Sequence, residues 1–395
     1  MQLNFIIFSN LDASNGGVET WLRLLIKEVN DNTQRAWFDA INIYYFTTPE
    51  KQVPLIESTT PGLINYFPIP ISEKKGLFFN FLKLAAFHWN AVKQVKQNKQ
   101  TQIFSIGSYP SGIFDWLCLR LMNYRKHVSH YIWLRTTLSK HIRTHNSRIV
   151  SRPIFFFEKR ALQDADVVIS NGWDTKENYI EEYNIPSTVI PNAIDPAKYA
   201  AVPPLRELNN NKIRIAFIGR FYESKGAFNF VNAIKIFNEK YPQLRENVTF
   251  VFVGWGEQSI EKFAADTQNC EFTGRVANDK MHELLGNIHA GVALTKAVNN
   301  QAGGSGISNN LLELMVAGRI ILAYDNSIFR QFPRQDCMCY IKENDDDALA
   351  DNYAGIVDSI QSYYSLGENA KAYSREFSIS NHVSLLSQVI KSPNQ

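Results

Sequence analysis

The segment IRIAFIGRFYESKG, from Ile213 to Gly226, places an arginine and a lysine close together between two glycines. Its apolar run predicts a strand that ends at Gly219 and Arg220, and Lys225 opens the helix that follows. Glycine lets a ligand approach the backbone, arginine grips phosphate through a planar fork, and lysine acts as a point charge. Both cations could converge on one pyrophosphate. The alternative is a surface loop with two solvated basic residues.

A second segment, GGSGISNNLLELMVAG from Gly303 to Gly318, places glycine-rich backbone before a helix. Ser308 is the expected N-cap, and the free N–H groups at a helix start favour an anion such as a diphosphate. Glu313 lies further along, and helical side chains lean back toward the N-terminus. Its carboxylate could accept two hydrogen bonds from a ribose diol. Otherwise it is a surface glutamate on an amphipathic helix.

The elements around these residues alternate between short apolar runs and longer helical patterns. This alternation predicts an α/β protein with mostly parallel sheets and helices on both faces. The predicted domains are Rossmann-like and doubly wound, over residues 1–190 and 213–370, joined by a Pro- and Asn-rich linker over 191–212. A C-terminal helix over 371–395 packs back toward the N-terminal domain. We expect the ligand in the cleft that the two domains face, at the carboxyl ends of strands.

Individual elements follow from the same patterns. In the first half the predicted elements are strands over 3–8, 41–46, 103–106, 128–134 and 167–169, with a first helix over 18–29. In the second half they are strands over 213–218 and 248–253, a loop over 219–226, a helix over 228–237 and a turn at Trp255-Gly256.

The bulk composition is that of an ordinary globular protein: 395 residues, 45% hydrophobic and 20% charged. A net charge of +3 is too small to indicate nucleic acid, and we expect no such partner. The four cysteines fit neither a zinc site nor a disulfide framework, which favours a reducing compartment. No run approaches the about 18 apolar residues of a membrane span, and the first residues lack the pattern of a secretion signal. We expect a cytoplasmic protein, free or peripheral on the inner face of the membrane.

The motifs also resemble a known family. In chain order, GRFYESKG, VFVGWGE, EFTGRV, AGVALTKA and GISNNLLELMVAG, with PNAID before them, resemble the donor domain of the retaining GT-B glycosyltransferases of family 4. Near the N-terminus, NGGVETWLRLL resembles the glycine-rich loop and first helix of that family. Residues 30–150 match only in general architecture, as expected of an acceptor-binding domain, so the acceptor stays undetermined. The resemblance implies a GT-B fold and a nucleotide diphosphate-sugar donor such as a UDP-sugar.

The same resemblance implies roles for individual residues. Arg220 and Lys225 stand where the family binds the donor diphosphate, and Glu313 stands where a glutamate holds the ribose, so these three are the implied catalytic residues. The other implied donor-binding positions are glycines near strand ends and loops (Gly16, Gly17, Gly219, Gly254), nucleobase contacts (Arg275, Val276), and residues that meet phosphate or sugar (Ser305, Gly306, Ile307, Ser308, Asn309).

Two positions depart from the family pattern. The first of the family's two donor-motif glutamates falls on Ser305, which can hydrogen-bond a sugar hydroxyl but cannot stabilise developing positive charge. An unusual donor sugar, a compensating group or reduced activity would each account for this serine. Arg135 stands where many members carry a histidine, and an arginine there could meet a phosphate.

The implied mechanism is front-face transfer of a hexose with retention of anomeric configuration. Arg220, Lys225 and helix-terminal amides would neutralise the leaving diphosphate, so neither a metal nor another cofactor is expected. Asp345, Asp346 and Asp347 are expected to cap a helix. The leading hypothesis is a glycosyltransferase of surface polysaccharide or lipopolysaccharide assembly. The alternatives are a nucleotide-sugar epimerase on the same fold and, because of Ser305, a non-catalytic nucleotide-sugar-binding homologue.

The acceptor side carries a basic field. Between Arg120 and Arg160 ten Lys or Arg residues stand against one acidic residue, Glu158. Residues 76–99 have helical periodicity, and such a basic amphipathic helix either lies on an anionic membrane or turns its apolar side to the core. A glycan or lipid-linked glycan acceptor would suit the membrane alternative. The predicted apolar side consists of Phe78, Phe81, Leu82, Ala85, Trp89 and Val92.

Histidines are concentrated in the first half of the chain. They show no metal-binding spacing and no obvious acidic partner, and each is a candidate general base. They are His88, His127, His130, His141 and His145.

Overall fold

The structure is a computed structural model that describes residues 1–11, 16–32, 37–47, 55–71, 77–96, 100–135, 142, 148–208, 211–257, 259–264, 267, 269–297 and 307–391. The chain forms two compact units. The first consists of Met1–Asn192 with Ile379–Gln395, and the second is Ala193–Ser378. In both units the described strands pair in parallel and most are separated by helices, which confirms the predicted α/β class.

The strands of the first unit are β1 (Gln2–Ile7), β2 (Ala40–Thr47), β3 (Ile64–Pro70), β4 (Thr101–Ile106), β5 (Ser129–Leu134), β6 (Val167–Ser170) and β7 (Thr188–Val189). Within the described residues they form one sheet in the order β3-β2-β1-β4-β5-β6-β7, with each neighbouring pair parallel. The order reverses between β1 and β4. The connections after these two strands therefore leave on opposite sides, which opens a crevice at the carboxyl edge of a doubly wound sheet.

The helices of the first unit are α1 (Gly17–Asp31), α2 (Leu77–Gln94), α3 (Ile113–Leu121), α4 (Arg148–Asp164) and α5 (Trp173–Tyr183), with a short π-helical turn over Ser108–Gly112. Because helices cover the sheet, its central strands are buried on both faces, and β4 is buried along its whole length. No helix in the described part of the chain is long and apolar enough to cross a membrane.

An asparagine ladder crosses the edge of this sheet. Asn4, Asn42 and Asn65 are register partners on β1, β2 and β3. The side-chain amide of Asn42 donates to Asn4 Oδ1 at 2.9 Å, and that of Asn65 donates to Asn42 Oδ1 at 3.0 Å. A slip of one residue would turn each amide to the other face, so the ladder helps to hold the register.

The strands of the second unit are β8 (Ile213–Phe221), β9 (Val248–Gly256), β10 (Cys270–Gly274), β11 (Ala290–Ala293), β12 (Ile320–Asp325) and β13 (Cys339–Lys342). Their order, for the residues described, is β10-β9-β8-β11-β12-β13, and the pairs are again parallel. The order reverses between β8 and β11. The carboxyl ends of these two strands are consequently the expected ligand edge of this unit.

Helices of the second unit are α6 (Ala227–Lys240), α7 (Ser259–Phe263), α8 (Met281–Leu285), α9 (Asn309–Val316), α10 (Ser327–Arg330), α11 (Asp346–Asp358) and α12 (Tyr364–Tyr373). Short 3₁₀ helices cover Pro196–Tyr199, Leu205–Glu207, Glu223–Lys225, Pro242–Asn247, Asn278–Lys280, Ile360–Tyr363 and Ser374–Phe377. Asp345 caps α11 by accepting a hydrogen bond from the Ala348 amide at 2.9 Å, which confirms the predicted capping role.

The last helix, α13 (Ile379–Lys391), packs in the first unit. Its His382 is buried, accepts a hydrogen bond from Trp21 Nε1 at 2.7 Å, and donates through Nδ1 to the Pro191 carbonyl at 2.8 Å. The ring also stacks on Trp133 at a centroid distance of 5.5 Å. Because both ring nitrogens are engaged, one as acceptor and one as donor, this histidine is neutral in the fold.

Two local predictions are wrong, and six of the described strands were not predicted: β3, β7, β10, β11, β12 and β13. In β3 the sequence INYFPIP carries two prolines; an edge strand tolerates them, since one of its sides is unpaired. The predicted loop over 219–226 is shorter, because β8 continues to Phe221 and a 3₁₀ turn follows. Trp255 and Gly256 lie in β9 rather than in a turn, because they pair with Arg220 and Phe221 of the extended β8.

The predicted apolar side of α2 is also partly wrong. Phe81, Leu82 and Trp89 are exposed, whereas the buried side is formed by Phe87, His88, Ala91 and Val92. The helix is apolar around most of its circumference, so periodicity alone cannot tell which side faces the sheet. The core-facing alternative therefore fails for Phe81, Leu82 and Trp89.

His88 does have an acidic partner, contrary to the prediction. Its Nδ1 lies 2.8 Å from Asp115 Oδ1, and the other oxygen of Asp115 accepts from Ser105 Oγ at 2.7 Å. Ser105 Oγ in turn lies 2.8 Å from His130 Nε2. All four side chains are fully buried, and burial lowers the pKa of His130 to about 4. The network joins α2, α3, β4 and β5 inside the first unit.

We predict a pH-dependent stability that depends on His382. Burial, reinforced by nearby Arg135, lowers its pKa to about 3, whereas an unfolded histidine titrates near 6.5. Below about pH 6.5 His382 therefore binds a proton in the unfolded chain but stays neutral in the folded chain. This group alone should lower the free energy of unfolding by about 2 kcal/mol between pH 7 and pH 5.

The measurement is urea unfolding at both pH values, followed by tryptophan fluorescence, since Trp21 and Trp133 contact His382. His382→Gln should lose this part of the pH dependence. His127→Gln is the control, because His127 is exposed and its loss should leave the wild-type dependence intact. An unchanged slope in His382→Gln would contradict the assignment.

Candidate active site

The ends of β8 and β9 approach each other unusually closely. Gly219 and Gly254 are register partners with φ of 143° and 139°, a region that favours glycine. A Cβ added to Gly254 would overlap the carbonyl oxygen of Gly219, and one added to Gly219 would lie 2.9 Å from Asn310 Nδ2. Both positions therefore require glycine, which leaves bare backbone at the carboxyl edge.

Arg220 follows directly at the end of β8. Its guanidinium is exposed and lies over the ring of Tyr222, 5.4 Å from the centroid. An arginine held by an aromatic ring keeps its N–H groups available for a planar anion.

Lys225 ends the 3₁₀ turn after β8. The next residue, Gly226, has φ of 75°, and a Cβ there would lie 2.6 Å from the Leu294 carbonyl oxygen. This close packing brings Lys225 beside the segment after β11, where its Nζ lies 3.5 Å from Thr295 Oγ1. The carboxylate of Glu223, in the same turn, pairs instead with Lys296. The lysine thus stands at the ligand edge of the sheet.

Helix α9 begins at the same edge. Ser308 is its N-cap and accepts from the Leu311 amide at 3.3 Å, as predicted. Asn310, in the first turn, donates its side-chain amide to the Ile218 carbonyl at 2.7 Å. This bond ties the helix start to β8, the strand that carries Gly219 and Arg220. Two cations and a helix N-terminus are therefore brought to one edge of one sheet.

Glu313 is buried within α9, so the alternative of a surface glutamate is wrong. Its Oε1 accepts hydrogen bonds from Tyr199 Oη and from Asn278 Nδ2, both at 3.1 Å. Burial raises the pKa of Glu313 to about 7, against the opposing effects of Lys198 and of the two hydrogen bonds. A carboxylate with this pKa changes its charge near neutral pH.

Three partners of this carboxylate were missed by sequence reasoning. Tyr199 and Lys198 lie in the segment predicted as a linker, and Asn278 lies just after the EFTGRV motif. Tyr199 is buried, and Lys198 Nζ donates to Asn278 Oδ1 at 2.9 Å. The only sequence signal was their position in the chain: Lys198 and Tyr199 closely follow PNAID, and Asn278 closely follows EFTGRV. The sequence around Tyr199 is polar and gave no indication that this segment folds as a packed turn.

That turn belongs to the second unit. Arg319 is fully buried and donates to the Pro203 carbonyl at 2.7 Å, which holds residues 193–208 against the sheet. Ile194 forms a bridge with Ser378 at the far end of the unit. The segment therefore helps to build the site.

Arg275 and Val276 follow β10. Gly274 has φ of 69° and turns the chain, Arg275 is exposed with its guanidinium 5.7 Å from the Trp255 ring, and Val276 is half-buried. The two residues thus lie at the carboxyl end of the edge strand, two strands from Arg220. Their assignment to the nucleobase stays a prediction.

The remaining predicted positions have different surroundings. Ser305 and Gly306 lie outside the described residues, while Ile307 is buried and Asn309 is the first residue of α9. Gly16 and Gly17 are exposed at the start of α1, in the first unit. Among the residues described, no three His, Cys, Asp or Glu side chains are grouped to hold a metal ion.

Arg135 lies at the carboxyl end of β5, also in the first unit. It is buried, with its guanidinium 4.6 Å from the Trp21 ring and 5.4 Å from the Trp133 ring. Its Nη2 donates to Asn192 Oδ1 at 2.6 Å. Burial lowers the pKa of Arg135 to about 9, partly offset by Glu19. These contacts give the arginine a role in packing, and phosphate binding by it stays a prediction.

Comparison with solved structures defines the class to which this fold belongs. Sucrose-phosphate synthase from Thermosynechococcus elongatus is 15% identical, with a TM-score of 0.75 over 99% of this chain and 98% of that one. HepE of Anabaena, solved with UDP-glucose, is 16% identical, with a TM-score of 0.69 over 99% and 100%. The lipopolysaccharide outer core galactosyltransferase WaaB is 14% identical, with a TM-score of 0.67 over 99% of both chains. The fold is GT-B.

Family comparison then covers both halves of the chain. Residues 15–198 match Glycosyltransferase Family 4, and residues 212–359 match Glycosyl transferases group 1. An uncharacterized glycosyltransferase of Methanocaldococcus jannaschii is 25% identical over 213 residues, which are 50% of this chain. The match spans about half the length of that relative, 49%. The chain belongs to the GT-B glycosyltransferases with family 4 and group 1 domains.

We predict that Gly254→Ala strongly destabilises the second unit. The new Cβ would overlap backbone of β8, which no rotamer change can relieve, so the loss should be at least about 3 kcal/mol. Gly274→Ala is the matched control. Its φ is also positive, at 69° against 139° for Gly254, but there is open space around the added carbon, so the change should cost only about 1 to 2 kcal/mol.

Urea unfolding followed by intrinsic tryptophan fluorescence, to which Trp255 beside Gly254 contributes, measures both variants. A Gly254→Ala protein as stable as Gly274→Ala would show that the strand ends are further apart than described.

Proposed function

We propose that this glycosyltransferase is a retaining hexosyltransferase that uses a nucleotide diphosphate-sugar donor, with a UDP-sugar as the first candidate. The observation that carries the proposal is the meeting of Arg220, Lys225 and the start of α9 at one edge of the second sheet. A pyrophosphate is the anion that such an arrangement suits, because it is large enough to engage two separate cations and helix amides. The UDP-glucose bound to HepE adds support.

The proposed donor pose starts from the diphosphate. Gly219 and Gly254 leave the strand ends without side chains, so the phosphates can lie on backbone beside Arg220. The nucleoside then extends toward Glu313, whose carboxylate would accept hydrogen bonds from the ribose diol. Arg275 and Val276, after the edge strand, would contact the base.

Transfer in this proposal breaks the bond between the anomeric carbon and the diphosphate oxygen. The oxygen of an acceptor hydroxyl bonds to the same face of the anomeric carbon while its proton passes to the departing diphosphate oxygen, so the configuration is retained. Arg220, Lys225 and the α9 amides stabilise the charge that develops on the leaving diphosphate, and one such donor is commonly worth about 3 to 4 kcal/mol. These cations supply the charge that a metal would otherwise supply, so we propose a metal-independent reaction.

The acceptor in this proposal is a glycan or a lipid-linked glycan, and the setting is surface polysaccharide or lipopolysaccharide assembly. The enzyme would act in the cytoplasm, in peripheral contact with the anionic inner face of the membrane. Support for this part comes from the basic first half of the sequence and from the exposed aromatic residues of α2.

The direct test is a thermal-shift screen of nucleotide diphosphates and their sugars, followed by donor hydrolysis and transfer assays. A ligand at a hundred times its dissociation constant stabilises its bound unit by about 2.7 kcal/mol, which is readily seen. Binding without hydrolysis or transfer would favour a non-catalytic homologue. Conversion of the sugar of the donor to its epimer, without an acceptor, would favour an epimerase. The absence of any nucleotide binding would reject the proposal.

We predict that Lys225→Ala and Arg220→Ala each lower donor turnover by at least about a hundredfold, since each removes a charge that stabilises the leaving group. Both side chains are at the surface of the site, so the fold should survive. Lys262→Ala, an exposed lysine on α7, is the matched control and should retain wild-type turnover. Turnover near the wild-type level in both site variants would reject the assignment.

We further predict that donor affinity rises by up to about tenfold between pH 6 and pH 8. The pKa of Glu313 is about 7, so its carboxyl is mostly protonated at pH 6 and mostly ionised at pH 8. Oε1 of Glu313 already accepts from Tyr199 and Asn278, so the ribose diol would meet Oε2, and this oxygen can accept from both hydroxyls only when it carries no proton. A nucleotide diphosphate-sugar is the probe, because its phosphates do not titrate in this range.

Glu313→Gln should bind the donor about tenfold more weakly than wild type at pH 8, with the pH dependence abolished. Calorimetry at the two pH values measures both effects. A Glu313→Gln variant that keeps the wild-type pH profile would show that another group titrates.

A further inference from the structure

We propose that helices α2, α3 and α4 form a docking surface for a bilayer of anionic phospholipid. The surface, named here the aromatic-basic surface, is defined by large apolar side chains that are 36% to 84% exposed. They are Phe81, Leu82 and Trp89 on α2, Leu121 at the end of α3, and Ile149, Phe155, Phe156 and Phe157 on α4. Soluble proteins rarely expose so many large apolar groups in one region without a binding role.

Aromatic contacts join the three helices into one surface. The ring of Phe81 packs against Phe114 of α3 at a centroid distance of 5.5 Å. On the other side of α3, Trp116 packs against Phe157 of α4 at 6.4 Å. Helix α3 therefore lies between α2 and α4, and the exposed groups of the outer helices flank it.

The exposed apolar groups are not part of the core. Helix α2 already buries Phe87, Ala91 and Val92 against the sheet, while Ile149 is 84% exposed and Phe156 is 53% exposed. Ring contacts hold Phe156 against neighbouring Phe157 and place Arg160 5.7 Å from its centroid. These side chains are thus held at the surface by one another.

The charge of this surface is positive. Lys93, Arg152 and Arg160 are exposed on α2 and α4, and Lys83 and Lys159 are half-buried there. Anionic headgroups attract such a set by about 1 kcal/mol for each cation near the membrane.

The carboxylates of the three helices do not oppose this charge. Helix α2 has none, and Asp115 of α3 is buried with His88 and Ser105. On α4, Glu158 is buried and accepts from Ser108 at 2.6 Å, while Asp164 is paired with Arg120. In the described part of these helices, every acidic group is therefore buried or neutralised.

The combination favours a bilayer over a protein partner. Phenylalanine and tryptophan enter the boundary between headgroups and acyl chains, while lysine and arginine reach back to the phosphates. A bilayer offers both environments over a broad area, whereas a protein partner would need its own carboxylates placed opposite each cation. This inference rests on the proposed function for its purpose, because a lipid-linked acceptor would be reached from such a surface. The binding itself requires no donor.

The test is sedimentation of the full chain with vesicles, either phosphatidylcholine alone or with 30% phosphatidylglycerol, at low salt. Three double variants are compared with wild type. Ile149→Ser with Phe156→Ser removes apolar groups, and Arg152→Gln with Arg160→Gln removes cations. Lys262→Gln with Arg375→Gln is the charge-matched control, because both residues are exposed in the second unit.

We expect wild type and the control to bind the anionic vesicles and to be released in 0.5 M NaCl, as screening requires. The apolar and the cation variants should each bind at least about tenfold more weakly; two cations at about 1 kcal/mol each correspond to about thirtyfold. Unchanged thermal unfolding and donor binding show that these variants are folded.

Equal binding to neutral and anionic vesicles, or wild-type binding by the cation variant, would overturn the proposal. So would a wild-type protein that ignores vesicles but forms a dimer that the apolar variant dissociates, because the surface would then join two copies. Vesicle binding and donor binding are measured separately, so failure of one leaves the other interpretable.

Discussion

One hydrogen bond organises the candidate active site, the bond from the Asn310 side chain to the carbonyl of Ile218. It joins the first turn of α9 to the strand that carries Arg220, at the point where Gly219 meets Gly254. The bond also gives the Ile218 carbonyl a hydrogen-bond partner on the side of β11, because β11 pairs only with Ile215 and Ala216 of β8. Together with the buried apolar residues of α9, it holds the helix N-terminus beside Arg220, so that one anion can meet both.

Glu313 connects this edge to the rest of the second unit. A buried carboxylate is costly unless it is hydrogen-bonded, and Tyr199 and Asn278 provide those bonds from two distant segments. The opposing influences on its pKa, burial on one side and Lys198 with two donors on the other, leave the group near neutrality. Such a group can be ionised by a ligand that offers further donors. The turn around Tyr199 is thus both a packed connection and part of the site.

The first unit differs in where it places its aromatic residues. Trp21, Trp133 and His382 enclose Arg135 inside the unit, and this cluster fastens the last helix to the sheet. The aromatic residues of α2 and α4 instead face outward. Both arrangements use the same residue types, so composition alone cannot separate a core from a binding surface. The difference lies in which side of each helix the sheet covers.

The sequence by itself determined the α/β class, seven of the thirteen described strands, the helix cap at Ser308 and the two cations, because each depends on local patterns of apolar, glycine and polar residues. It could not determine the exposed side of α2, which is apolar almost all round, or the edge strand β3, which contains prolines. Nor could it join Tyr199 and Asn278 to Glu313, since 114 and 35 residues separate them along the chain. Those contacts exist only because the folding of the second unit brings the turn around Tyr199, the segment after β10 and α9 together, and local sequence patterns contain no information about such long-range contacts.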